Sequence, residues 1–322
     1  MQAIEYKQYG SPEVLHLSQV AKPCPKPNEL LIRVYATTVT GADVMMRKGK
    51  PYIGRFYTGL KRPKRRILGF EFAGEIVEVG QEVTLFKIKD KVFGGTTMLG
   101  CYAEYVCVNE KDVVITMPNN SSYEEAAPVN GSAITVMNFL KGLGKIQKNH
   151  KVLINGASGG LGTYAIQIAK HFGGEVTGVC STNNVALVKF LGADKVIDYS
   201  AEDFTKSGEQ YDIIFDTVGK RSFSECKNSL TKNGVYLSAV LDLTLFMEMI
   251  WTSLFSGKKV KSSATGMLPV QERLNYFIEL KELLETEKIK TVIDTCYPLS
   301  QVAEAHTYVE KGHKRGSVVI CV

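Results

Sequence analysis

One stretch constrains the fold of this chain more than any other: Val152-Leu153-Ile154-Asn155-Gly156-Ala157-Ser158-Gly159-Gly160-Leu161-Gly162-Thr163-Tyr164-Ala165. A short apolar run enters a glycine-rich turn, and Tyr164, Ala165, Ile168 and Ala169 then recur at helical spacing. The pattern predicts a strand, a turn and a helix. Ala157, Gly159 and Gly162 take the i, i+2, i+5 spacing of a dinucleotide-binding fingerprint, with alanine in the first slot. Small residues there let the backbone approach a pyrophosphate. The helix N-terminus adds free N–H groups and the positive end of its dipole. Ala157, Ser158, Gly159, Gly160, Leu161 and Gly162 are therefore candidate cofactor-binding residues. Ordinary tight turns use glycine too, so the flanking strand and helix carry the reading.

With 322 residues the chain has room for two domains. Residues 1–120 read as β-rich, with β-branched or aromatic runs at 30–36, 72–79 and 103–108. From about 122 the texture alternates. Strands are predicted at 151–155, 175–179, 195–197, 212–216 and 234–238, with helical patterns between them, which argues for a doubly wound parallel sheet. The tail predicts a helix at 270–285, a strand near 291–296, a helix at 299–311 and a last strand at 317–321.

The net charge of +6 is mild; it suits anionic ligands and does not by itself imply nucleic acid. Seven cysteines lie at 24, 101, 107, 180, 226, 296 and 321 with no Cys-x-x-Cys, so neither a zinc ribbon nor a redox dithiol is signalled. Their odd count and wide spacing lead us to expect reduced thiols in a cytoplasm. The N-terminus lacks the basic-then-apolar layout of a signal peptide. The most apolar segment, 241–255, contains Asp242 and Glu248 and is too short to span a bilayer. It reads as a buried or interfacial helix, and no membrane partner is expected.

Several motifs now stand in order: Gly69-Phe70-Glu71-Phe72-Ala73-Gly74-Glu75-Ile76-Val77, Gly100-Cys101-Tyr102-Ala103-Glu104-Tyr105, the turn 156–162, Leu191-Gly192-Ala193-Asp194, Tyr211-Asp212-Ile213-Ile214-Phe215-Asp216 and Gly316-Ser317-Val318-Val319-Ile320. Through them the chain resembles the medium-chain dehydrogenase/reductase superfamily over nearly its whole length. The resemblance implies an α/β architecture: a Rossmann domain (122–262) inserted into a β-rich, GroES-like catalytic domain (1–121 and 263–322), with the active site in the cleft. The superfamily's zinc alcohol dehydrogenases hold a catalytic zinc with Cys, His and Cys. Those slots fall here at Thr40, Phe70 and about Gly131, none of them a good zinc ligand. The cysteine-rich lobe for a structural zinc is absent as well. No metal is expected. The chain thus looks like the zinc-independent quinone oxidoreductase branch, whose members reduce quinones or α,β-unsaturated carbonyls. A homodimer is implied by the resemblance alone.

An NAD-preferring Rossmann site usually carries an acidic residue at the end of its second strand. Here that strand runs into Cys180-Ser181-Thr182-Asn183-Asn184, with no carboxylate. The Ser181 and Thr182 hydroxyls and the Asn183 or Asn184 amide can donate to phosphate oxygens, although a solvated turn has the same composition. Tyr199 matches a family tyrosine near the adenosine phosphate. Lys189 is a charge partner or a solvated helix lysine. The cofactor expected is NADPH rather than NADH.

Quinone or enone reduction proceeds by hydride transfer from nicotinamide, and the protein orients the acceptor. Thr135 matches a family threonine at the nicotinamide end, or else caps or back-bonds its helix. Thr40, which replaces an asparagine common in the reductase branch, is carried with it as a cofactor-binding candidate. Met45 stands where a family tyrosine is found. Tyr52 and Tyr57 lie on a Gly/Lys/Arg-rich loop at 48–59; Tyr52 is the candidate proton donor, and a surface tyrosine is the plainer alternative. Glu71 is expected to be structural. Phe246, Met247, Met249, Ile250 and Trp251 either line an apolar cleft or belong to a packed helix or dimer contact. Histidines 16, 150, 171, 306 and 313 show no metal spacing. The run Lys61-Arg62-Pro63-Lys64-Arg65-Arg66 lacks interleaved aromatics and reads as a solvated basic loop, so nucleic acid is not expected. The rival functions are a weakly active NADPH-binding or RNA-binding protein and an alcohol dehydrogenase.

Overall fold

The computed structural model describes every residue except Pro51 and Thr97, and every other side chain except those of Ile53 and Tyr57. The candidate side chain of Tyr57 therefore lies outside the described residues. The chain divides into two compact units. The first comprises Met1–Gly131, Pro269–Glu287 and Thr291–Val322; the second comprises Ser132–Leu268 and Lys288–Lys290.

The first unit is built on strands. Strands β1 (Gln2–Glu5) and β2 (His16–Gln19) form a separate antiparallel pair. The main sheet holds β3 (Glu29–Val39), β4 (Glu71–Val79), β5 (Lys91–Gly95), β6 (Tyr105–Asn109), β7 (Val113–Thr116), β14 (Ile293–Pro298) and β15 (Ser317–Cys321). Its order is β14-β15-β3-β4-β5-β7, with β6 pairing with β3. Alternate residues of β3, among them Leu30, Ile32 and Val34, pack with Phe72, Ile76, Val92, Val106 and Val108 in one buried cluster, as the two-residue period of a strand requires. A second cluster gathers Ile4, Tyr6, Leu68, Tyr102, Val302, Ala305 and Ile320, so both chain ends contribute to one core.

Parallel pairing of β14 and β15 corrects the thiol expectation. Cys296 and Cys321 are joined by a disulfide across these neighbouring strands, 25 residues apart in sequence. Sequence spacing did not show this, because a crossover helix, Val302–Glu310, brings the second strand back beside the first. Among the free cysteines, Cys101, Cys180 and Cys226 are buried and Cys24 is exposed.

The second unit holds β8 (Lys151–Asn155), β9 (Glu175–Cys180), β10 (Lys195–Asp198), β11 (Tyr211–Asp216), β12 (Leu230–Ser238) and β13 (Lys259–Lys261). All pair in parallel, in the order β10-β9-β8-β11-β12-β13. Val152, Leu153 and Ile154 of β8 are all fully buried, because helices cover a parallel sheet on both faces. From β8 the chain steps outward to β9 and β10, then returns to the other side of β8 at β11. The strand order reverses between β8 and β11. At such a switch point the carboxyl ends of the strands leave a crevice for a ligand.

The glycine turn leaves β8 at that point. Gly156 has φ of 81°, a left-handed conformation that glycine adopts without steric cost. This is one residue before the fingerprint's first slot, which is the buried Ala157. At Gly162 a Cβ would overlap the Gly156 carbonyl oxygen. The helix Gly160–His171 can therefore pack onto the turn only with glycine at 162. Gly162→Ala should lower the thermal midpoint, at a cost of about 1–3 kcal/mol for overpacking; calorimetry on purified protein reads it, and an unchanged midpoint would show that the turn relaxes freely.

Candidate functional site

In the second unit, the amides of Gly156 and Ala157 both donate to the Val179 carbonyl, at 3.1 and 2.9 Å. The Gly159 amide donates to Gly156 O at 3.1 Å. These bonds fold the turn so that Gly159 becomes the N-cap of the helix Gly160–His171, with no side chain capping it. Amides in a helix's first turn have no intrahelical acceptor. An uncapped end whose N-cap residue carries no Cβ is a fitting seat for a phosphate.

Asn184 ties this turn to the loop after β9. Its Nδ2 donates to Ser158 Oγ at 3.0 Å and to Ser181 Oγ at 3.1 Å. Each serine oxygen accepts from the amide, which leaves its O–H to donate elsewhere. The Asn184 Oδ1 is buried without a hydrogen-bond partner among the described residues. The structure thus brings Ser158, Ser181 and Asn184 of the predicted set together.

Thr182 is differently placed. Its hydroxyl bonds the Asp198 carboxylate, which also accepts from the Ser200 amide at 2.9 Å and the Ser200 hydroxyl at 2.7 Å. These bonds, the one from Thr182 first, hold Asp198 below the usual carboxylate range. The loop after β9 lacks a carboxylate, as the sequence shows, but Asp198 stands directly across the ladder from Cys180. Reading along the strand missed it, because the neighbour comes from the next strand. The Tyr199 amide bonds the Cys180 carbonyl at 3.1 Å, and its ring is exposed. Asp216 ends β11 fully buried and accepts from Asn155 Nδ2, the Val218 and Gly219 amides and the Tyr236 hydroxyl, all at 3.0–3.1 Å. It fixes the loop at the switch point, a role sequence reasoning did not assign. Thr135 lies half-buried on the helix Ser132–Met137.

In the first unit, Thr40 is the N-cap of the helix Gly41–Lys48. Its hydroxyl donates to Asp43 Oδ2 at 2.5 Å, and its amide donates to the same oxygen at 2.9 Å. This is a reciprocal capping pair. Phe70 packs its ring against the core cluster around Tyr102. At Gly131 a Cβ would overlap Glu71 Oε1. The Glu71 carboxyl therefore fills the space a side chain at 131 would need, and it accepts from Thr38 Oγ1 at 2.6 Å and from the Gly131 amide. The residues at the three ligand slots of the zinc enzymes do not fit a zinc ion. Among the described residues no cluster of three His, Cys, Asp or Glu could hold a metal.

Burial pushes Glu71 up to about 8, against the Thr38 hydrogen bond and assisted by the Asp43 charge. Burial likewise pushes Asp43 up to about 6. The Tyr102 hydroxyl is 3.2 Å from His306 Nε2, and burial holds that histidine down at about 3, so it is neutral. Arg47, fully buried, donates to Gly10 O at 3.1 Å and pairs with Glu310. The Tyr52 ring is exposed, with the Arg55 guanidinium 4.8 Å from its centre. Lysine and arginine side chains of the 61–66 run are exposed. The side chains of Phe246, Met247, Ile250 and Trp251 are exposed too, which corrects the packed-helix reading; only Met249 packs on the core of its unit.

Residues 26–119 match the model of the alcohol dehydrogenase GroES-like domain, and residues 191–320 match that of zinc-binding dehydrogenase. The chloroplast envelope quinone oxidoreductase homolog of Arabidopsis thaliana is 31% identical, over 99% of this chain and 98% of that protein. The chain belongs to the medium-chain dehydrogenase/reductase superfamily, in its quinone oxidoreductase branch. The mitochondrial NAD(P)H oxidoreductase RTN4IP1 of Mus musculus is 33% identical over 98% of this chain and 87% of its own length. A solved structure of the Coxiella burnetii quinone oxidoreductase superposes with a TM-score of 0.89 at 29% identity, covering 100% of this chain and 99% of that one. The same fold is seen in the Escherichia coli quinone oxidoreductase complexed with NADPH, with a TM-score of 0.87 at 24% identity over the whole of both chains. Membership carries a nicotinamide cofactor.

The raised Glu71 carboxyl has a measurable consequence. Between its ordinary value of 4.5 and about 8, the folded chain holds a proton there that the unfolded chain has released. Stability from this group is therefore fully present below 4.5 and is lost as pH rises towards 8. Thermal midpoints of the parent and Glu71→Gln proteins should move apart over that interval, the parent falling relative to the variant. A gap constant with pH would show that Glu71 is ionised throughout.

Proposed function

We propose that this chain is an NADPH-dependent reductase of quinones or α,β-unsaturated carbonyls that works without a metal, with residues 122–262 as its cofactor-binding part. The observation that carries the cofactor preference is Asn184 bridging Ser158 and Ser181 at 3.0 and 3.1 Å. It presents two hydroxyls beside an uncapped helix end, in a loop free of carboxylates. Asp198 is the nearest acid across the ladder, and its oxygens are already taken by Thr182 and Ser200.

Metal independence is supported by what the ligand slots do instead. Thr40 caps a helix, and the Glu71 carboxyl occupies the side-chain space of Gly131. The names of relatives point the same way on substrate: one is a quinone oxidoreductase homolog, and another, 32% identical, is the 2-methylene-furan-3-one reductase of Solanum lycopersicum. A bound nicotinamide supplies the hydride. This chain's part is to hold the phosphates with the first-turn amides, Ser158 and Ser181, and to keep Asn184 oriented by the bonds it makes to both. Tyr199 and Thr135 make further cofactor contacts in this proposal. Tyr52 is its proton donor. Homodimerisation is the assembly the family implies.

Fluorescence titration of purified protein should show tighter binding of NADPH than of NADH. Asn184→Asp, which places a carboxylate in the loop, should weaken NADPH by about tenfold or more, equivalent to about 1.4 kcal/mol, and narrow or reverse the preference. Tighter NADH binding by the parent protein contradicts the cofactor assignment. A panel of quinones, enones and alcohols separates the reductase from an alcohol dehydrogenase, and Tyr52→Phe should cut turnover by about tenfold or more; an unchanged rate removes Tyr52.

A further inference from the structure

The Cys296–Cys321 disulfide ties down the outermost strand of the first unit's sheet. Among the described residues, β14 pairs with β15 alone, and the ladder between them is weak at both ends. Its register shifts between Ile293 and Thr295. In its last pair, Pro298 with Cys321, the proline has no N–H to offer. The disulfide closes that end, running from Cys296 to a cysteine two pairs further along the ladder. Cys296 is exposed and Cys321 half-buried, so the bond can be reached from solvent. The core does not depend on it. Val318, Val319 and Ile320 of β15 are buried, and β15 pairs with β3 on its other side. Disulfides that make up for a missing core belong to small domains, whereas this unit buries two apolar clusters of its own. An exposed bond outside the core is of the class that exchanges with thiols.

From β14 a chain of contacts runs inward. Asp294 Oδ2 accepts from the Tyr308 hydroxyl at 2.7 Å and from the Arg315 amide at 2.9 Å. The rings of Tyr297 and Tyr308 lie 6.3 Å apart. Tyr308 belongs to the crossover helix Val302–Glu310. Two residues on, Glu310 pairs with Arg47 and, at 2.9 Å, with Lys48. Both basic residues lie in the last turn of the helix Gly41–Lys48, which Thr40 caps. Arg47 is fully buried, and without the Glu310 carboxylate its charge would stand uncompensated, which couples the two helices. One end of this chain of contacts is a reachable disulfide, and the other is the candidate residue Thr40.

We propose that Cys296–Cys321 is a site of thiol–disulfide exchange with a dithiol, and that reducing it frees β14 and loosens the helix Val302–Glu310 behind it. One thiolate of the dithiol attacks Cys296 Sγ, the S–S bond breaks, and Cys321 leaves as a thiolate that takes up a proton. The second thiol of the dithiol gives up its proton, attacks the mixed disulfide and releases Cys296, which is protonated in turn. Two electrons and two protons pass to the cysteine pair, and the dithiol becomes a disulfide. Thiols inside the chain do not compete for the bond. Cys101, Cys180 and Cys226 are buried, and burial holds all three above the usual cysteine range, where the attacking thiolate is scarce. The exchange goes beyond the reductase reading and does not rest on it.

Alkylation of the whole folded chain, followed by mass spectrometry, counts the thiols of Cys296 and Cys321 in buffers of reduced and of oxidised dithiothreitol. The bond should open and re-form without denaturant. On reduction, the amides of β14 and of the helix Val302–Glu310 should exchange hydrogen with solvent about tenfold faster or more, while those of β8 in the second unit keep their rates. Cys296→Ser combined with Cys321→Ser should show the fast rates in either buffer. The proposal is overturned by a bond that opens only when the chain unfolds, by a pair that stays as thiols in oxidised dithiothreitol, or by exchange rates that reduction leaves unchanged. A serine variant that fails to fold overturns it too, since the bond is then a requirement of folding.

Discussion

Gly162 packs against the Gly156 carbonyl with no room for a side chain between them, and the seating of the helix after β8 depends on that contact. It sets the helix Gly160–His171 down on the turn after β8, so that the helix N-terminus opens at the reversal of strand order. Once there, the unfilled amides of its first turn must be met by water or by an anion. The bonds from Asn184 to Ser158 and Ser181 extend the same seat sideways into the loop after β9, and the buried Asp216 steadies the loop after β11. One close backbone approach thereby assembles groups from three separate turns.

The first unit makes a different commitment around Glu71. In a family that includes zinc enzymes, the decisive feature is what occupies the ligand positions. With glycine at 131, the Glu71 carboxyl takes the volume a side chain there would need, and Thr38 and the Gly131 amide receive it. Thr40 is withdrawn by its bonds to Asp43. A carboxyl buried among hydroxyls and held near 8 is largely a neutral acid at physiological pH. Glu71 itself then contributes hydrogen bonds rather than a charge, which lessens the cost of burying it.

Much of this was legible in the sequence, for reasons that can be named. The parallel strands were visible because they are continuous apolar runs between helical patterns, and the helix Val270–Glu285 was bounded correctly by its own periodicity. Strand β13 was not, since Lys259-Val260-Lys261 carries one apolar residue. The pairing of Asp198 with Thr182 and the Cys296–Cys321 bond were invisible for one cause: adjacent parallel strands bring both pairs together, Thr182 just past the end of its strand, and strand order is not written locally. Asp43 did carry a local signal, the Thr40-x-x-Asp43 spacing of a capping pair. The apolar segment at 241–255 reads as helical, but which of its side chains are covered depends on what the rest of the unit packs against it.

The hydride transfer proposed for this chain needs no metal. The direct measurement is quinone turnover by NADPH in protein exhaustively treated with a strong chelator, with zinc determined in the same sample. Full turnover at substoichiometric zinc is the result this account predicts. Turnover that disappears on chelation and returns on adding zinc would contradict it.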